Sequence, residues 1–357
     1  MRGRNATLDR LKPRDLTAVD LFSGCGGLTT GLKKAGFQVL GAVELDPLAV
    51  HTYSKNHPEV YVWKVDIRRL AVAEFARKLH IREGKLDLLA GCPPCQAFST
   101  LRTLNRGRRV RDPKQKDLLH ELLRFVRILK PRAVMFENVP GLANDNRWRR
   151  LTAVLRKLGY RSDYRILNVA DYGVPQRRRR LLLLGSRLGS VPFARPQNRR
   201  RTVRETIGSL KPPGESGDPL HDLPEKRSPE ILRLIKKIPR NGGSRTDLPK
   251  RLQLKCHRKC DGFKDVYGRM SWKNVAPTIT SGCVNPSKGR FLHPVGHRTI
   301  TLREAALLQS FPRKYFISLE EGKFRAAELI GNALPPEFIR RHASGVLSQL
   351  SAKERKP

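Results

Sequence analysis

The sequence predicts an α/β protein with a mostly parallel sheet of seven strands, helices on both faces of that sheet, and a smaller second domain of irregular structure. Two observations predict this fold class. Up to about residue 186, short apolar runs alternate with longer amphipathic runs, which is typical of a parallel sheet covered by helices. From residue 191 to residue 297, helical periodicity is scarce and Pro and Gly are frequent, over a stretch too long for a loop.

The predicted strands are short, apolar and bounded by Gly, Pro or charged residues. They are Ala18–Phe22, Val39–Glu44, Val60–Asp66, Leu86–Cys92, Ala133–Val139, Tyr164–Val169 and Leu181–Gly185. The predicted helices share an amphipathic pattern. They are Leu28–Lys34, Leu48–Lys55, Leu70–Leu79, Leu118–Leu129, Trp148–Leu158, Leu302–Phe311 and Pro335–Leu350. In such a sheet, ligands bind beyond the carboxyl ends of the strands.

The composition indicates a soluble protein with a polyanionic partner. The 72 Lys and Arg residues outnumber the 32 Asp and Glu residues, which gives a net charge of +40, and residues 191–297 carry +14 of it. Nucleic acid is the functional explanation, and an arginine-rich genome is the alternative. No apolar run reaches the roughly 18 residues of a membrane span, and the basic N-terminus lacks the apolar stretch of a signal peptide. We therefore expect a cytoplasmic protein with reduced thiols and no membrane association.

A glycine-rich turn follows the first predicted strand. It comprises Asp20–Gly27, and its glycines permit a sharp turn and a close approach to a ligand. The dinucleotide fingerprint is not met, because Thr29 stands where a third small residue is required. Glu44 ends the second strand at the spacing of an acid that binds ribose hydroxyls, and Asp66 ends the third. The pattern favours an adenosine-bearing ligand without a pyrophosphate; the alternative is a tight turn with two solvated acids.

The fourth predicted strand leads to a candidate nucleophile. Two prolines stiffen the backbone before Cys95, and the arginines that follow favour a thiolate. Cys92-x-x-Cys95 also matches a redox or zinc half-site, but prolines fill the gap and no second pair has matching spacing.

The fifth and seventh predicted strands contribute charged residues to the same edge of the sheet. Glu137 ends the fifth strand. Burying a carboxylate at the end of an apolar strand costs free energy unless the group is paired or takes part in function. The alternative is a structural role in a helix cap or a salt bridge. The run Gln176–Arg180 precedes the apolar residues of the seventh strand, so alternate arginines must point toward opposite environments.

Taken together, the motifs resemble the DNA (cytosine-5) methyltransferases of the bacterial modification type. The matching residues occur in one order: Asp20–Gly27, Glu44, Asp66, Pro94-Cys95-Gln96, Glu137-Asn138-Val139, Gln176-x-Arg178-x-Arg180, Arg298-x-x-Thr301-x-Arg303-Glu304-x-Ala306-x-Leu308-Gln309-x-Phe311-Pro312 and Gly331-Asn332-Ala333-x-Pro335. Cys25 and Cys92 occupy positions that the family treats as variable. The resemblance implies a Rossmann-like S-adenosylmethionine (AdoMet) domain over residues 15–190, a target-recognition domain over 191–318 and a C-terminal segment, 322–350, that returns to the first domain.

The resemblance also implies the roles of individual residues. AdoMet would be held by residues of the glycine turn and of the strand ends: Phe22, Gly24, Gly26, Gly27, Glu44, Asp66 and Asn332. Cys95 would add to carbon 6 of cytosine, and protonated Glu137 would relieve the charge at nitrogen 3. Arg180 would hold oxygen 2 and orient Glu137, whereas Arg178 would face the mobile loop or a phosphate. No metal is implied.

The implied substrate is duplex DNA with its target base flipped out of the stack. The residues expected to contact DNA are Gln96, Ser99, Arg106, Arg108, Thr278 and Thr280. The segment Arg102–Arg111 would form the mobile loop, and Thr278–Gly282 resembles the tip of the recognition domain. A monomer acting alone or beside a companion restriction endonuclease is expected.

Three alternatives accompany this interpretation. A methyltransferase of the same fold could act on transfer RNA, and a catalytically silent protein could bind DNA without modifying it. Cys256 and Cys260, with Cys283 or His293, could bind zinc, although their spacing is irregular and a basic recognition loop with incidental thiols explains them as well.

Overall fold

The computed structural model describes residues 15–94, 118–254, 256 and 264–354. All seven predicted strands are present, with bounds that differ by a few residues. They are β1 (Thr17–Leu21), β2 (Gln38–Glu44), β3 (Tyr61–Lys64), β4 (Leu88–Gly91), β5 (Ala133–Asn138), β6 (Arg161–Asn168) and β7 (Arg179–Ser186).

The helices of the first half also lie close to their predicted positions. They are α1 (Gly27–Ala35), α2 (Pro47–Asn56), α3 (Val72–Lys78), α4 (Leu118–Leu129) and α5 (Asn146–Lys157). The second half contains α6 (Val203–Ile207), α7 (Pro219–Asp222), α8 (Pro229–Lys237), α9 (Leu302–Leu308), α10 (Gly322–Asn332) and α11 (Pro336–Glu354). Short 3₁₀ helices cover Ile67–Arg69, Pro140–Asn144, Val169–Tyr172, Arg245–Asp247, Lys250–Leu252 and Pro286–Lys288. None of the described helices combines the length and the apolar composition that crossing a bilayer requires.

The strands form one mixed sheet in the order β3-β2-β1-β4-β5-β7-β6. β7 runs antiparallel to β5 and β6, and the other neighbouring strands are parallel, so the prediction of a mostly parallel sheet is confirmed. The chain builds outward from β1 to β3 and then returns to place β4 on the other side of β1. The carboxyl ends of β1 and β4 therefore flank the point where the strand order reverses, which is where such sheets bind ligands.

Helices cover both faces of the sheet. Leu32 of α1 and Phe338 of α11 belong to the apolar core on one face, and Phe75 and Phe125 belong to the core on the other. Because α11 packs along α1, the end of the chain is part of the layer that supports the glycine turn. At Gly31 of α1 a Cβ atom would lie only 2.5 Å from the Cβ atom of Ile339, so this position needs glycine to let the two helices approach.

The second half of the chain has cores of its own. A large core unites α6, α9 and α10 and includes Leu48 and Ala49 of α2, while a smaller core contains Ile235 of α8 and Leu292. The fully buried guanidinium of Arg269 donates hydrogen bonds to the backbone carbonyls of Ile235, Ile238 and His293. One buried cation thus supplies donors to carbonyls at the end of α8, where the N–H of Ile238 also donates to the carbonyl of Ile235 at 3.3 Å.

The motif that begins at Arg298 has a structural role at the start of α9. Thr301 caps the helix, and Glu304 completes a capping box. Glu304 is 1% exposed, and both of its oxygens accept hydrogen bonds from Arg298 at 2.7 Å. Burial alone would raise the pKa of Glu304, but the hydrogen bonds and the charge of Arg298 lower it below its usual value.

We expect Glu304→Ala to lower the free energy of unfolding by about 2–3 kcal/mol, because the change removes the two charged hydrogen bonds to the half-buried Arg298 and the capping box of α9. The contribution of Glu304 should be present above the pKa of an unfolded glutamate and should be lost as the pH falls through the lower folded pKa. Urea unfolding at a series of pH values from 7 down to 3 measures both effects. The matched control is Glu321→Ala, which removes an exposed partner of Arg325 and should cost no more than about 1 kcal/mol. Equal losses for the two variants would contradict the assignment.

Candidate active site

The glycine turn begins immediately after β1. Phe22, Gly24 and Gly26 all have positive φ angles, of 62°, 53° and 93°. At Gly26 a Cβ atom would lie 2.5 Å from the Tyr315 hydroxyl oxygen, and at Gly27 it would lie 2.3 Å from the carbonyl oxygen of Leu334. Glycine is therefore required at both positions, whereas the space above Gly24 is open to a ligand.

Thr29, which breaks the dinucleotide fingerprint, has a partner of its own. Its hydroxyl donates a hydrogen bond of 2.7 Å to Asp20, and it lies 2.7 Å from the hydroxyl of Tyr53. Burial raises the pKa of Asp20 to about 7, against the opposing effect of this hydrogen bond. Asp20 and Thr29 thus form a buried polar link between β1 and α1 rather than part of a phosphate site.

Glu44 links the two loops that border the ligand crevice. One of its oxygens accepts a hydrogen bond of 2.7 Å from the backbone N–H of Gly24, and the other accepts from the N–H groups of Leu45 and Asp46. The carboxylate is half-buried beside the open space above Gly24. Its position at the end of β2 agrees with the predicted one.

Asp66 lies two residues beyond the end of β3 instead of ending that strand. It caps the 3₁₀ helix Ile67–Arg69 and forms an ion pair with Arg68. The hydrogen bond from Arg68 is the main reason why the pKa of Asp66 is lowered. A ligand amine could reach this carboxylate only in competition with Arg68.

Asn332, at the end of α10, is exposed. The backbone just beyond it contacts the glycine turn, since the carbonyl of Leu334 lies against Gly27. Phe22 is half-buried and packs on the core beneath the sheet edge. The structure therefore places Phe22, Gly24 and Glu44 at the carboxyl ends of β1 and β2, and it places the backbone two residues beyond Asn332 against the adjoining Gly27.

The reactive edge centres on Glu137, which is 2% exposed at the end of β5. Its Oε1 atom lies 2.8 Å from Nε of Arg180, and its Oε2 atom lies 2.7 Å from Sγ of Cys92. The contact with Arg180 is an ion pair without hydrogen-bond geometry, and Oε1 has no hydrogen-bond partner among the residues that the structure describes. Glu137 therefore has one oxygen hydrogen-bonded to Cys92 and one that lies beside the Arg180 guanidinium without a hydrogen bond from the described residues.

Asn138 fixes the backbone that leads to Cys95. Its side-chain amide donates a hydrogen bond of 2.9 Å to the carbonyl of Pro93, and its carbonyl oxygen accepts from the N–H of Val139. Pro94, one residue further on, is exposed. The sequence motifs indicate no role for Asn138 and no contact for Cys92; for Asn138, the signal in the sequence is an amide that closes an apolar strand.

The arginines around the start of β7 alternate as predicted. Arg177 and Arg179 are exposed, Arg178 is buried and Arg180 is half-buried. Arg178 differs from the expected orientation toward a loop or phosphate, because its guanidinium donates to the backbone carbonyls of Ile279 and Gly331 at 2.9 and 3.0 Å. Burial lowers the pKa of Arg178 to about 9, and the neighbouring Arg180 adds to this effect. Arg178 is thus placed to join the catalytic sheet to the second half of the chain.

The segment Thr278–Gly282 lies against the catalytic sheet and is not a projecting tip. The Thr278 hydroxyl donates a hydrogen bond of 2.6 Å to the carbonyl of Arg177, and the N–H of Ile279 donates to the buried side chain of Gln176. At Gly331 a Cβ atom would lie 2.2 Å from the backbone of Thr280, so the two segments are in close contact. A parallel bridge between Gln176 and Ala276, just before β7, accompanies these contacts: Ala276 donates to the carbonyl of Pro175 and accepts from the N–H of Arg177.

Several predicted residues lie outside the described part of the chain: Cys95, Gln96, Ser99, Arg106, Arg108, the whole segment Arg102–Arg111 and Cys260. Of the other residues considered for zinc, Cys256 is exposed, Cys283 is buried, and the His293 ring accepts backbone hydrogen bonds. Within the described residues, no group of three or more potential ligands is placed to hold a metal ion.

The sheet order, the glycine turn after β1 and the acid at the end of β2 define a Rossmann-like methyltransferase. Residues 16–347 match the family model of the C-5 cytosine-specific DNA methylases. The chain is 37% identical to the type II methylase M.HgiDII of Herpetosiphon aurantiacus, with 89% of this chain and 91% of that protein aligned. It is 33% identical to the type II methyltransferase M1.HphI of Haemophilus parahaemolyticus, over 93% of this chain and 87% of that protein.

Among solved structures, one assigned to a DNA modification methyltransferase encoded within an E. coli prophage superposes with a TM-score of 0.64. It is 25% identical in sequence, and the superposition covers 94% of this chain and 99% of that chain. The chain belongs to the C-5 cytosine-specific DNA methylase family, and it is a DNA (cytosine-5) methyltransferase.

Proposed function

We propose that this enzyme transfers the methyl group of AdoMet to carbon 5 of cytosine within a specific duplex DNA sequence, by adding Cys95 to carbon 6 of a flipped-out base. One observation carries the proposal: a buried carboxyl group, Glu137, has an oxygen beside Arg180 that accepts no hydrogen bond from the described residues. This group stands one strand away from the stiff Cys92–Pro94 segment that leads to Cys95.

The residues around the glycine turn fit AdoMet. The open space above Gly24 admits a ligand, Glu44 offers a carboxylate for ribose hydroxyls, and the half-buried ring of Phe22 provides an apolar surface. The backbone two residues beyond exposed Asn332 contacts Gly27, and Asp66 would accept from an amine after yielding its contact with Arg68. When bound, AdoMet supplies an electrophilic methyl group on a sulfonium.

The protein must activate cytosine for methylation, because carbon 5 of an aromatic pyrimidine is a poor nucleophile. Addition of the Cys95 thiolate to carbon 6 turns carbon 5 into the nucleophilic end of an enamine. Electron density then accumulates toward nitrogen 3, where Glu137 can donate a proton or a hydrogen bond through Oε1. Loss of the proton from carbon 5 after methylation restores the aromatic ring and releases Cys95.

Arg180 supports this chemistry electrostatically. Its Nε atom lies 2.8 Å from Glu137, and its side chain is only 15% exposed, so little solvent screens its charge. A guanidinium at this position can hold the oxygen 2 atom of the base while it orients Glu137. Arg178 acts at a distance, since its hydrogen bonds keep Ile279 and Gly331 in place behind the reactive edge.

The relatives support a role in modification. M.HgiDII and M1.HphI are named as a type II methylase and a type II methyltransferase. We infer that this enzyme protects a DNA sequence, either with a companion restriction endonuclease or as a solitary methylase. The net charge of +14 over residues 191–297 favours a duplex DNA substrate.

The test is to measure methyl transfer from labelled AdoMet to duplex DNA and, in parallel, to transfer RNA. We expect label in DNA only, and bisulfite sequencing of DNA from cells that express the chain should show 5-methylcytosine at one recurring sequence. Label in transfer RNA without label in DNA would favour the RNA enzyme of the same fold, and label in neither would overturn the proposal.

A further inference from the structure

Cys92 contacts the catalytic carboxyl group directly. Its Sγ atom lies 2.7 Å from Oε2 of Glu137, on the opposite side of the carboxyl group from Arg180. The two contacts involve different oxygens, so together they define the plane and the direction of the carboxyl group. Neither composition nor spacing indicated this contact, and the family treats position 92 as variable.

The Cys92 thiol is a hydrogen-bond donor and not a second nucleophile. Burial, the charge of Glu137 and the hydrogen bond to Glu137 raise the pKa of this thiol well above its usual value, and the nearby arginines only partly oppose this. The thiol therefore stays protonated at neutral pH, and Sγ–H donates to the carboxylate oxygen.

The backbone around Cys92 is held from both sides. Its N–H donates a hydrogen bond of 3.2 Å to the carbonyl of Leu21 at the end of β1, and Asn138 holds the carbonyl of the next residue, Pro93. Because β4 and the prolines restrain this segment, the sulfur is presented at a fixed position relative to Glu137.

We propose that Cys92 is a positioning residue, which binds Oε2 of Glu137 so that Oε1, beside Arg180, stays directed toward nitrogen 3 of the target base. The inference rests on the proposed function, in which Glu137 serves the base. Without the thiol, the carboxyl group can rotate about its terminal torsion, and fewer molecules present the productive oxygen.

The test compares Cys92→Ala and Cys92→Ser in the full-length enzyme under single-turnover conditions. We expect Cys92→Ala to lower the rate of methyl transfer by about tenfold, the effect of one lost hydrogen bond to a charged group, with KM for AdoMet and for DNA within about twofold of wild type. Cys92→Ser should stay within about threefold of the wild-type rate, because a hydroxyl also donates. Cys256→Ser, a change at an exposed cysteine, is the matched control.

Three results would overturn the inference: a wild-type rate for Cys92→Ala, equal losses for the alanine and serine variants, or a loss that appears in KM instead of the rate. Thermal unfolding midpoints of both variants show whether a loss of rate arises from unfolding; the serine variant keeps the test valid if the alanine variant is unstable.

A separate readout distinguishes failure of this inference from failure of the proposed function. Duplex DNA with 5-fluorocytosine at the target traps the covalent adduct, because fluorine cannot leave carbon 5 as a proton does. Wild type and Cys92→Ala should both form the adduct, which shows that Cys95 still reacts. If wild type forms none, the proposed covalent function fails, whatever the rates of the Cys92 variants.

Discussion

Cys95→Ser should reduce methyl transfer by about 10³-fold or more, because a serine hydroxyl is far less acidic than a thiol and provides almost no anion to add to carbon 6. Single-turnover transfer of labelled methyl groups to duplex DNA measures the loss. Binding of DNA should be retained, since the basic residues that contact phosphates are unchanged.

Cys256→Ser provides the matched control for this change, because it makes the same substitution at an exposed cysteine. It should leave the rate unaltered. Persistent methyl transfer by Cys95→Ser, at more than about a tenth of the wild-type rate, would show that another group is the nucleophile. Loss of the 5-fluorocytosine adduct in Cys95→Ser, with the adduct retained in Cys256→Ser, would support the assignment.

Glu137→Gln should lower the rate of methyl transfer by about 10²- to 10⁴-fold. The amide keeps the size of the side chain and can still contact Arg180 and Cys92, but it cannot pass a proton to nitrogen 3. KM for AdoMet should change little, because Glu137 lies at the end of β5 and Glu44 and the glycine turn lie at the ends of β2 and β1.

A matched Glu→Gln change at Glu83 controls for the loss of one negative charge. Glu83 is exposed and pairs with Lys130 at the surface, so its replacement should not affect the rate. Activity of Glu137→Gln within about threefold of wild type would remove Glu137 from the reaction, because a transferred proton is worth far more than that.

The positions of the strands along the chain could be predicted from the sequence, because each strand is a short apolar run. Leu88–Gly91 and Ala133–Asn138 are buried throughout, and such strands appear as continuous apolar runs. The direction of β7 could not be predicted, because the same apolar run is compatible with parallel or antiparallel pairing to its neighbours. The helix Gly322–Asn332 was missed because its buried residues include alanines, Ala326 and Ala327, whose small side chains give a weak apolar pattern.

The positions of individual side chains were also predictable only in part. Glu44 lies at its predicted strand end, whereas Asp66 lies beyond β3 and is paired with Arg68. The alternation of side-chain directions in an extended chain correctly assigned opposite environments to neighbouring arginines around the start of β7. It could not indicate that the buried one, Arg178, binds backbone carbonyls 101 and 153 residues further along the chain.

The sequence by itself identified the family of this protein: the ordered motifs around Gly24, Glu44, Cys95 and Glu137 resemble those of the cytosine-5 methyltransferases, and the family model matches residues 16–347. That is possible because each motif is local, and the topology of a parallel sheet brings strand ends to one edge. The tertiary structure alone decided which side chains meet there. Cys92 faces Glu137 because β4 and β5 are neighbours, and contacts across strands depend on register and on the face of the sheet, which short runs in the sequence do not specify.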